Sequence, residues 1–196
     1  MKQSVIFDLD GTLWDALTPL VESWNVAMKK NNVDYIFDEE KMRSLMGLTP
    51  IETCPVAFNH SSLEEGLKLF KLALEEEIPY LAKHPGKLYE GEEEVLKKLH
   101  EKYSLYVVSN ADKGYIENYM NAYDMRRYFD GFIQAGDTNL PKWQNILYIK
   151  EKENIDEIIY VGDTKKDEEE TLKAGQIFIH ASYGFGKIKD TKYKNI

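Results

Sequence analysis

Short apolar runs alternate with helical patterns along much of the chain. Five runs have the length and composition of buried strands, at residues 4–9, 104–109, 131–135, 158–162 and 177–180. Between the later runs, apolar residues recur at helical spacing, over residues 95–99, 115–123 and 143–150. This alternation predicts a parallel sheet with helices on both faces.

The stretch between the first two runs is helical in pattern. One helix is predicted after Thr18-Pro19, with Thr18 as its cap, and two more are predicted at Thr49 and Ser62, where capping-box patterns begin. The last of these is long, and its predicted buried stripe consists of Leu63, Leu67, Phe70, Leu74, Ile78 and Leu81. We therefore predict an α/β fold in which a helical-bundle cap domain, residues 15–85, is inserted into a Rossmann-like three-layer core, residues 1–14 and 86–196.

Composition and charge narrow the classes of partner. The chain has 196 residues with 25 Lys and Arg against 34 Asp and Glu, a formal charge of −9. That excess of acid argues against nucleic-acid binding, which depends on Lys and Arg at phosphates. No apolar run approaches the roughly 18 residues of a membrane span. Cys54 is the single cysteine, so no internal disulfide can form, and a reducing, cytoplasmic location is expected.

Two acidic pairs follow predicted strands. Asp8 and Asp10 come at the end of the first run, before Gly11-Thr12, and Asp163 and Asp167 follow the fourth run. The carboxyl ends of parallel strands form the ligand-binding edge of open α/β sheets, so these pairs are expected to share one cleft. Two unit charges about 4 Å apart repel by roughly 4 kcal/mol at an effective dielectric constant near 20, so a cation is expected among them.

The residue types favour magnesium and phosphate chemistry. Hard carboxylate ligands without nearby His or Cys favour Mg²⁺, which commonly takes substrate phosphate as a further ligand. Ser109 and Asn110 end the second run and could donate hydrogen bonds to phosphate oxygens, and Lys142 could supply a cation. Lys165 and Lys166 are alternatives to Lys142.

Each of these features also has a purely structural explanation. Asp163 and Asp167 could be acids at a helix N-terminus, and Ser109-Asn110 could cap the following helix. Lys142 could be an ordinary surface lysine. The presence of both acidic pairs in one chain, each directly after a predicted strand, favours the catalytic interpretation.

The sequence resembles the haloacid dehalogenase superfamily, and within it the phosphatase members that carry a helical cap, the group of phosphoglycolate phosphatase and β-phosphoglucomutase. Four motifs occur in order: Asp8-x-Asp10-Gly11-Thr12, then Ser109, then Lys142, then Gly162-Asp163-x3-Asp167. The third motif departs from the family pattern, because Pro141 precedes the lysine and Trp143 follows it.

The resemblance implies a two-step mechanism. Asp8 would attack phosphorus and form an aspartyl phosphate, and Asp10 would act first as general acid and then as general base. Mg²⁺ would be held by Asp8, Asp163 and the backbone carbonyl of Asp10, and Asp167 would reach it directly or through water. Ser109, Asn110 and Lys142 would hold the phosphoryl group of a small phosphorylated metabolite.

Alternatives within and beyond the superfamily stay open. The dehalogenases and phosphonatases lack an acid equivalent to Asp10, so this residue favours phosphate esters. The sugar-phosphate mutases usually have a histidine where this chain has Leu20, which favours hydrolysis over mutase activity. A binding module that retains the site without turnover is a further hypothesis. Sugar phosphates, phosphoglycolate, nucleoside monophosphates and pyrophosphate are all candidate substrates.

Overall fold

The chain folds into two compact units. The computed structural model describes residues 2–188 and 196. One unit comprises Met1–Asp15 and Lys87–Ile196, and the other comprises Ala16–Gly86. Within the described residues, no helix is long and apolar enough to cross a membrane.

The first unit, which we call the core unit, is built on a parallel sheet. Its strands are β1 (Gln3–Phe7), β2 (Trp14–Asp15), β3 (Lys87–Leu88), β4 (Ser104–Ser109), β5 (Gly131–Gln134), β6 (Glu157–Gly162) and β7 (Ile177–His180). Among the described residues, five of them form one sheet in the order β5–β4–β1–β6–β7, and all neighbours in it are parallel. The short strands β2 and β3 form a separate antiparallel ribbon. The predicted parallel sheet is confirmed.

Helices flank this sheet and also make up the second unit. They are α1 (Leu17–Lys30), α2 (Glu39–Leu45), α3 (Pro50–Ala57), α4 (Leu63–Leu81), α5 (Glu92–His100), α6 (Tyr115–Ala122), α7 (Ala135–Thr138), α8 (Lys142–Lys152) and α9 (Lys165–Lys173), with a 3₁₀ turn at Met125–Tyr128. On one face of the sheet, strand residues such as Ile6 and Tyr160 pack against Ile146 and Ile149 of α8. On the other side, Phe7 meets Phe129 edge to face. The core unit is thus an α/β fold of the Rossmann-like type.

The second unit, which we call the helical unit, has an aromatic core. Trp24 of α1 packs against the rings of Phe37, Phe58 and Phe70. Its indole Nε1 also donates a 2.6 Å hydrogen bond to the buried carboxylate of Glu77 in α4. Helices α3 and α4 begin after Thr49 and Ser62, as predicted, whereas α1 begins at Leu17 with Ala16 as its N-cap, so Thr18 does not cap it.

The predicted buried stripe of α4 is partly wrong. Leu63 and Leu67 are exposed, and the buried positions are Gly66, Leu69, Ala73, Glu77 and Leu81. A Cβ at Gly66 would lie 3.1 Å from the Cβ of Cys54, so glycine permits the close approach of α3. The helix therefore turns its small residues and a hydrogen-bonded carboxylate inward.

Replacing Glu92 with Gln is expected to stabilise the protein at pH 8 and to have little effect at pH 5. Burial raises the pKa of Glu92 from 4.5 to about 7, although the hydroxyl of Tyr119 donates to this carboxyl. The contribution of this carboxyl to the free energy of unfolding is therefore fully present below about pH 4.5 and is lost as the pH rises through 7. Each pKa unit corresponds to about 1.4 kcal/mol, so the expected gain at pH 8 is on the order of 2 kcal/mol.

Urea unfolding of wild type and Glu92→Gln at pH 5 and pH 8 measures this difference in the free energy of unfolding. The control is Glu94→Gln on the same helix, where the carboxylate is exposed and pairs with Lys98. It is expected to change stability little at either pH. If the stability of Glu92→Gln relative to wild type is the same at pH 8 as at pH 5, the raised pKa of Glu92 is contradicted.

Candidate active site

Sequence-predicted acids gather at one edge of the parallel sheet. The central strand β1 lies between β4 and β6, and the hydrogen bond from the amide of Asp8 to the carbonyl of Val161 extends its pairing by one residue. Phe7 lies opposite Val161 in the pairing of β1 with β6. Asp8, which directly follows β1, therefore lies close to Asp163, which directly follows β6. The chain returns to β6 on the other side of β1 after β4 and β5, which makes this edge a topological switch point.

Lys142 bridges two of these carboxylates. Its Nζ lies 2.7 Å from Oδ1 of Asp8 and 2.6 Å from Oδ1 of Asp167, and all three side chains are buried. Burial lowers the pKa of Lys142, but Asp167 and Asp8 outweigh this effect and raise it well above 10.5. The lysine is therefore a cation, and it is Lys142 rather than Lys165 that lies at the acids, since Lys165 pairs with Glu168.

Asp167 makes structural contacts as well as facing the cluster. Its Oδ2 accepts hydrogen bonds from the amide and hydroxyl of Thr164, at 3.0 and 2.6 Å, and closes the capping box of α9. Its Oδ1 binds Lys142. The helix-terminal role considered from the sequence and a place in the acidic cluster therefore coexist in one side chain.

Asp163 is fixed by a glycine-containing loop. The backbone amides of Phe185 and Gly186 donate to its Oδ2 at 2.7 and 3.0 Å. Gly11 has φ +77°, and a Cβ there would lie 2.3 Å from the same oxygen. Only glycine fits this approach, which explains its place after Asp10.

One oxygen of Asp163 indicates what the cluster can bind. Its Oδ1 is buried and has no hydrogen-bond partner among the described residues. Burial, followed by the charge of Asp167, raises the pKa of Asp163 to about 7. Burial and then Asp167 also raise the pKa of Asp8 to about 7, against the opposing effect of Lys142. Carboxylates that resist ionisation in this way are stabilised by a further cation.

The three carboxylates fit a divalent metal ion. Asp8, Asp163 and Asp167 each offer an oxygen, and these atoms all lie within 4.8 Å of one another. Carboxylate oxygens at this spacing are the hard ligands that such ions prefer. The unpartnered Oδ1 of Asp163 is a ready ligand atom, so the donor set fits the metal expected from the sequence.

Asp10 lies in different surroundings from Asp8. Its Oδ1 accepts hydrogen bonds from the hydroxyl of Tyr115 at 2.7 Å and from Nε1 of Trp14 at 3.0 Å. Burial raises the pKa of Asp10 to about 7, while the donors Tyr115 and Trp14 limit the rise. A carboxyl with such a pKa can both donate and accept a proton near neutral pH.

Ser109 and Asn110 lie at the end of β4, beside β1. Ser109 is buried, and its Oγ accepts a 3.2 Å hydrogen bond from the amide of Ala111. Asn110 follows it and is partly buried. The next helix, α6, has Gly114 as its N-cap, so these two residues do not cap it.

Several supporting residues could not be found by motif. Tyr115 and Trp14 hold Asp10, and the amides of Phe185 and Gly186 hold Asp163. The Gly-Phe-Gly sequence after the last strand is a signal for close backbone approach, but it does not identify its partner. Trp14 is near Asp10 in sequence, whereas Tyr115 is 105 residues away.

Comparisons with known proteins agree with this fold. The family model described as haloacid dehalogenase-like hydrolase matches residues 5–181. A predicted phosphatase from Clostridium acetobutylicum is 23% identical, with a TM-score of 0.82 over 100% of this chain and 94% of its own. A predicted phosphoglycolate phosphatase from Haemophilus somnus is 24% identical, with a TM-score of 0.79 over 94% of this chain and 87% of its own.

A third similar structure is that of CbbY from Rhodobacter sphaeroides in complex with phosphate, which is 16% identical. Its TM-score is 0.82 over 100% of this chain and 93% of its own. The comparison with curated protein sequences gives no match. Since the family model spans most of the chain, the protein belongs to the haloacid dehalogenase-like hydrolases, and it is a hydrolase.

Proposed function

We propose that the protein is a Mg²⁺-dependent phosphatase that hydrolyses a small phosphate monoester through an aspartyl phosphate at Asp8. The observation that carries this proposal is the contrast between two neighbouring acids. Asp8 belongs to the three clustered carboxylates and contacts Lys142, whereas Asp10 is held by the neutral donors Tyr115 and Trp14. One acid is thus suited to attack and the other to proton transfer.

Similar structures support the same chemistry. Those compared above include predicted phosphatases and CbbY with phosphate, and a CbbY variant has been solved with xylulose-1,5-bisphosphate. A small phosphorylated metabolite is therefore the proposed substrate. The proposed location is the cytoplasm, because the one cysteine, Cys54, is free and buried.

In the first step, the carboxylate of Asp8 attacks phosphorus as the bond to the alcohol oxygen breaks. Asp10 gives its proton to that oxygen, so the alcohol leaves neutral and Asp10 becomes a carboxylate. Lys142 lies 2.7 Å from Asp8 and can neutralise charge on the phosphoryl oxygens, assisted by hydrogen bonds from Ser109 and Asn110.

In the second step, water attacks the phosphorus of the aspartyl phosphate. Asp10, now ionised, takes a proton from that water, and the bond between phosphorus and the Asp8 oxygen breaks. Phosphate is released, and both carboxyls return to their starting states. A pKa of about 7 allows Asp10 to serve in both directions.

The proposed metal ligands are the carboxylates of Asp8, Asp163 and Asp167 and the backbone carbonyl of Asp10. When bound, Mg²⁺ supplies positive charge that offsets the phosphoryl oxygens and the gathered carboxylates. The side chain of Asp10 is held by hydrogen bonds from Tyr115 and Trp14 and is not one of the proposed metal ligands, so it remains available for proton transfer.

The helical unit is proposed to act as the substrate-selecting cap. Its chain enters after Asp15 and leaves before Lys87, and these two residues pair in the antiparallel ribbon of β2 and β3. Opening and closing about such a ribbon would exclude water during turnover and then release product.

Phosphate release with and without metal tests the proposed function. The substrates are p-nitrophenyl phosphate and a panel of sugar phosphates, phosphoglycolate, nucleoside monophosphates and pyrophosphate. We expect activity with Mg²⁺ and at least about a 100-fold loss in EDTA, because the metal contributes several kcal/mol of charge stabilisation. Excess Mg²⁺ should restore the rate, which controls for damage by the chelator.

Two results would contradict the proposed function. Well-folded, Mg²⁺-loaded protein that releases phosphate from no ester on the panel is one of them. An unchanged rate in EDTA is the other, since it would remove the role assigned to the acidic cluster.

A further inference from the structure

Two aromatic side chains donate to the same oxygen of Asp10. The hydroxyl of Tyr115 and the indole Nε1 of Trp14 both contact Oδ1, at 2.7 and 3.0 Å. Among the described residues, no hydrogen-bond donor contacts Oδ2. The carboxyl is therefore bound asymmetrically, with one oxygen engaged and the other available.

Packing holds both donors in place. Trp14 is fully buried and Tyr115 is 3% exposed, and their rings meet edge to face with centroids 5.6 Å apart. Tyr119, one turn further along α6, also packs edge to face against Trp14, with centroids 5.6 Å apart. Side chains confined in this way lose little further entropy when they orient a neighbour.

The backbone fixes the starting points of the three side chains. Gly11 donates its amide to the carbonyl of Trp14 at 3.0 Å, which closes the turn between Asp10 and Trp14. Tyr115 is the first residue of α6, after Gly114 with φ +94° as its N-cap. The turn and the helix terminus thus bring residues 105 positions apart in sequence to a single carboxylate oxygen.

We propose that Tyr115 and Trp14 are positioning residues that fix the rotation of the Asp10 carboxyl and present Oδ2 to the oxygen of the departing alcohol. This inference rests on the proposed phosphatase function. Because Oδ1 accepts both hydrogen bonds, the proton for the alcohol is carried on Oδ2. As the phosphorus–oxygen bond breaks, that proton moves to the alcohol oxygen, and Oδ1 keeps its two donors throughout.

Dependence on the leaving group distinguishes positioning of the acid from general support of the fold. An alkyl alcohol leaves poorly as an anion and needs the proton, whereas p-nitrophenolate leaves readily without it. The ratio kcat/KM covers the steps up to alcohol release, so it is independent of the later hydrolysis of the aspartyl phosphate.

The experiment compares Tyr115→Phe with wild type on the best alkyl phosphate of the panel and on p-nitrophenyl phosphate, both with Mg²⁺. General acid catalysis contributes about 10²–10⁴-fold, and misplacing a catalytic group by 1 Å can cost about 10²-fold. We expect kcat/KM to fall roughly 30-fold for the alkyl ester and less than about 3-fold for the aryl ester.

Tyr119→Phe is the matched control. It removes a buried phenol hydroxyl from the same helix and from a ring that also packs on Trp14, but that hydroxyl donates to Glu92 instead of Asp10. Its effects on the two esters are expected to be equal. Circular dichroism and urea unfolding verify that both variants are folded at the assay temperature.

The outcomes separate this inference from the function on which it rests. Wild-type protein that hydrolyses both esters, with equal losses for the two in Tyr115→Phe, would overturn the positioning role alone. Wild-type protein that hydrolyses neither would overturn the proposed function and this inference together. A loss confined to the alkyl ester in Tyr119→Phe would also count against the assignment to Tyr115.

Discussion

Replacing Asp8 with Asn is expected to lower phosphate release by at least about 10⁴-fold, because an amide cannot replace the carboxylate as nucleophile. The substitution keeps the size of the side chain and removes one of three negative charges within the acidic cluster. Burial and the charge of Asp167 already raise the pKa of Asp8, so its ionised form is unfavourable in the metal-free protein. The variant should therefore be at least as stable as wild type without metal.

Phosphate release at saturating Mg²⁺ and urea unfolding in EDTA measure the two halves of this prediction. Asp156→Asn is a suitable control, since this exposed carboxylate lies in the core unit just before β6, where it accepts a hydrogen bond from the amide of Lys2. That control should retain wild-type activity. A folded Asp8→Asn protein with more than a few per cent of the wild-type rate would exclude Asp8 as the nucleophile.

The parallel sheet and its acidic edge are predictable from the sequence for a physical reason. Buried parallel strands are continuous apolar runs, and ligands of open α/β sheets bind at the carboxyl ends of the strands, so acids that directly follow such runs, as Asp8 and Asp163 do, are candidate site residues. The apolar runs and the acids that follow them do not specify the order of the strands in the sheet. The pairing of β1 with both β4 and β6 is what turns separate motifs into one site.

Contacts that depend on tertiary structure are not visible to such patterns. The motif left open whether Lys142, Lys165 or Lys166 serves the acids, because three lysines of similar character occur and only packing selects among them. In the sequence, Tyr115 likewise occupies an apolar position of a predicted amphipathic helix. Its hydroxyl meets Asp10 only because α6 packs beside the turn that follows β1.

The helical unit illustrates the same limit. Large apolar residues define the predicted stripe of α4, yet Leu63 and Leu67 are exposed while Gly66 and Glu77 are buried. A pattern of hydrophobicity gives no weight to a glycine that permits close helix contact. It also gives none to a carboxylate whose burial is offset by the indole of Trp24.

Replacing Lys142 with Met is expected to destabilise the metal-free protein by about 3 kcal/mol at pH 8, since removal of one partner leaves buried charge uncompensated. Met retains most of the length of the side chain, so the loss is mainly one of charge. The destabilisation should shrink toward pH 5. Burial raises the pKa of Asp8 and Asp163 to about 7 even with the lysine present, so protonation can relieve the cluster as the pH falls.

Activity should fall as well, by about 10²–10³-fold, the loss typical of removing one charge-stabilising donor from an active site. The control is Lys98→Met, which removes a lysine that is 70% exposed and pairs with the equally exposed Glu94, and it should change neither property appreciably. Adding Asp167→Asn to Lys142→Met removes one uncompensated charge, so stability should recover while activity does not. Because Asp167 is also a proposed metal ligand, the double variant is compared with Asp167→Asn alone. Equal activity of these two proteins would show that Lys142 serves only to balance Asp167, whereas a further loss of turnover in a stable double variant is the result expected if the lysine cation acts on the phosphoryl group.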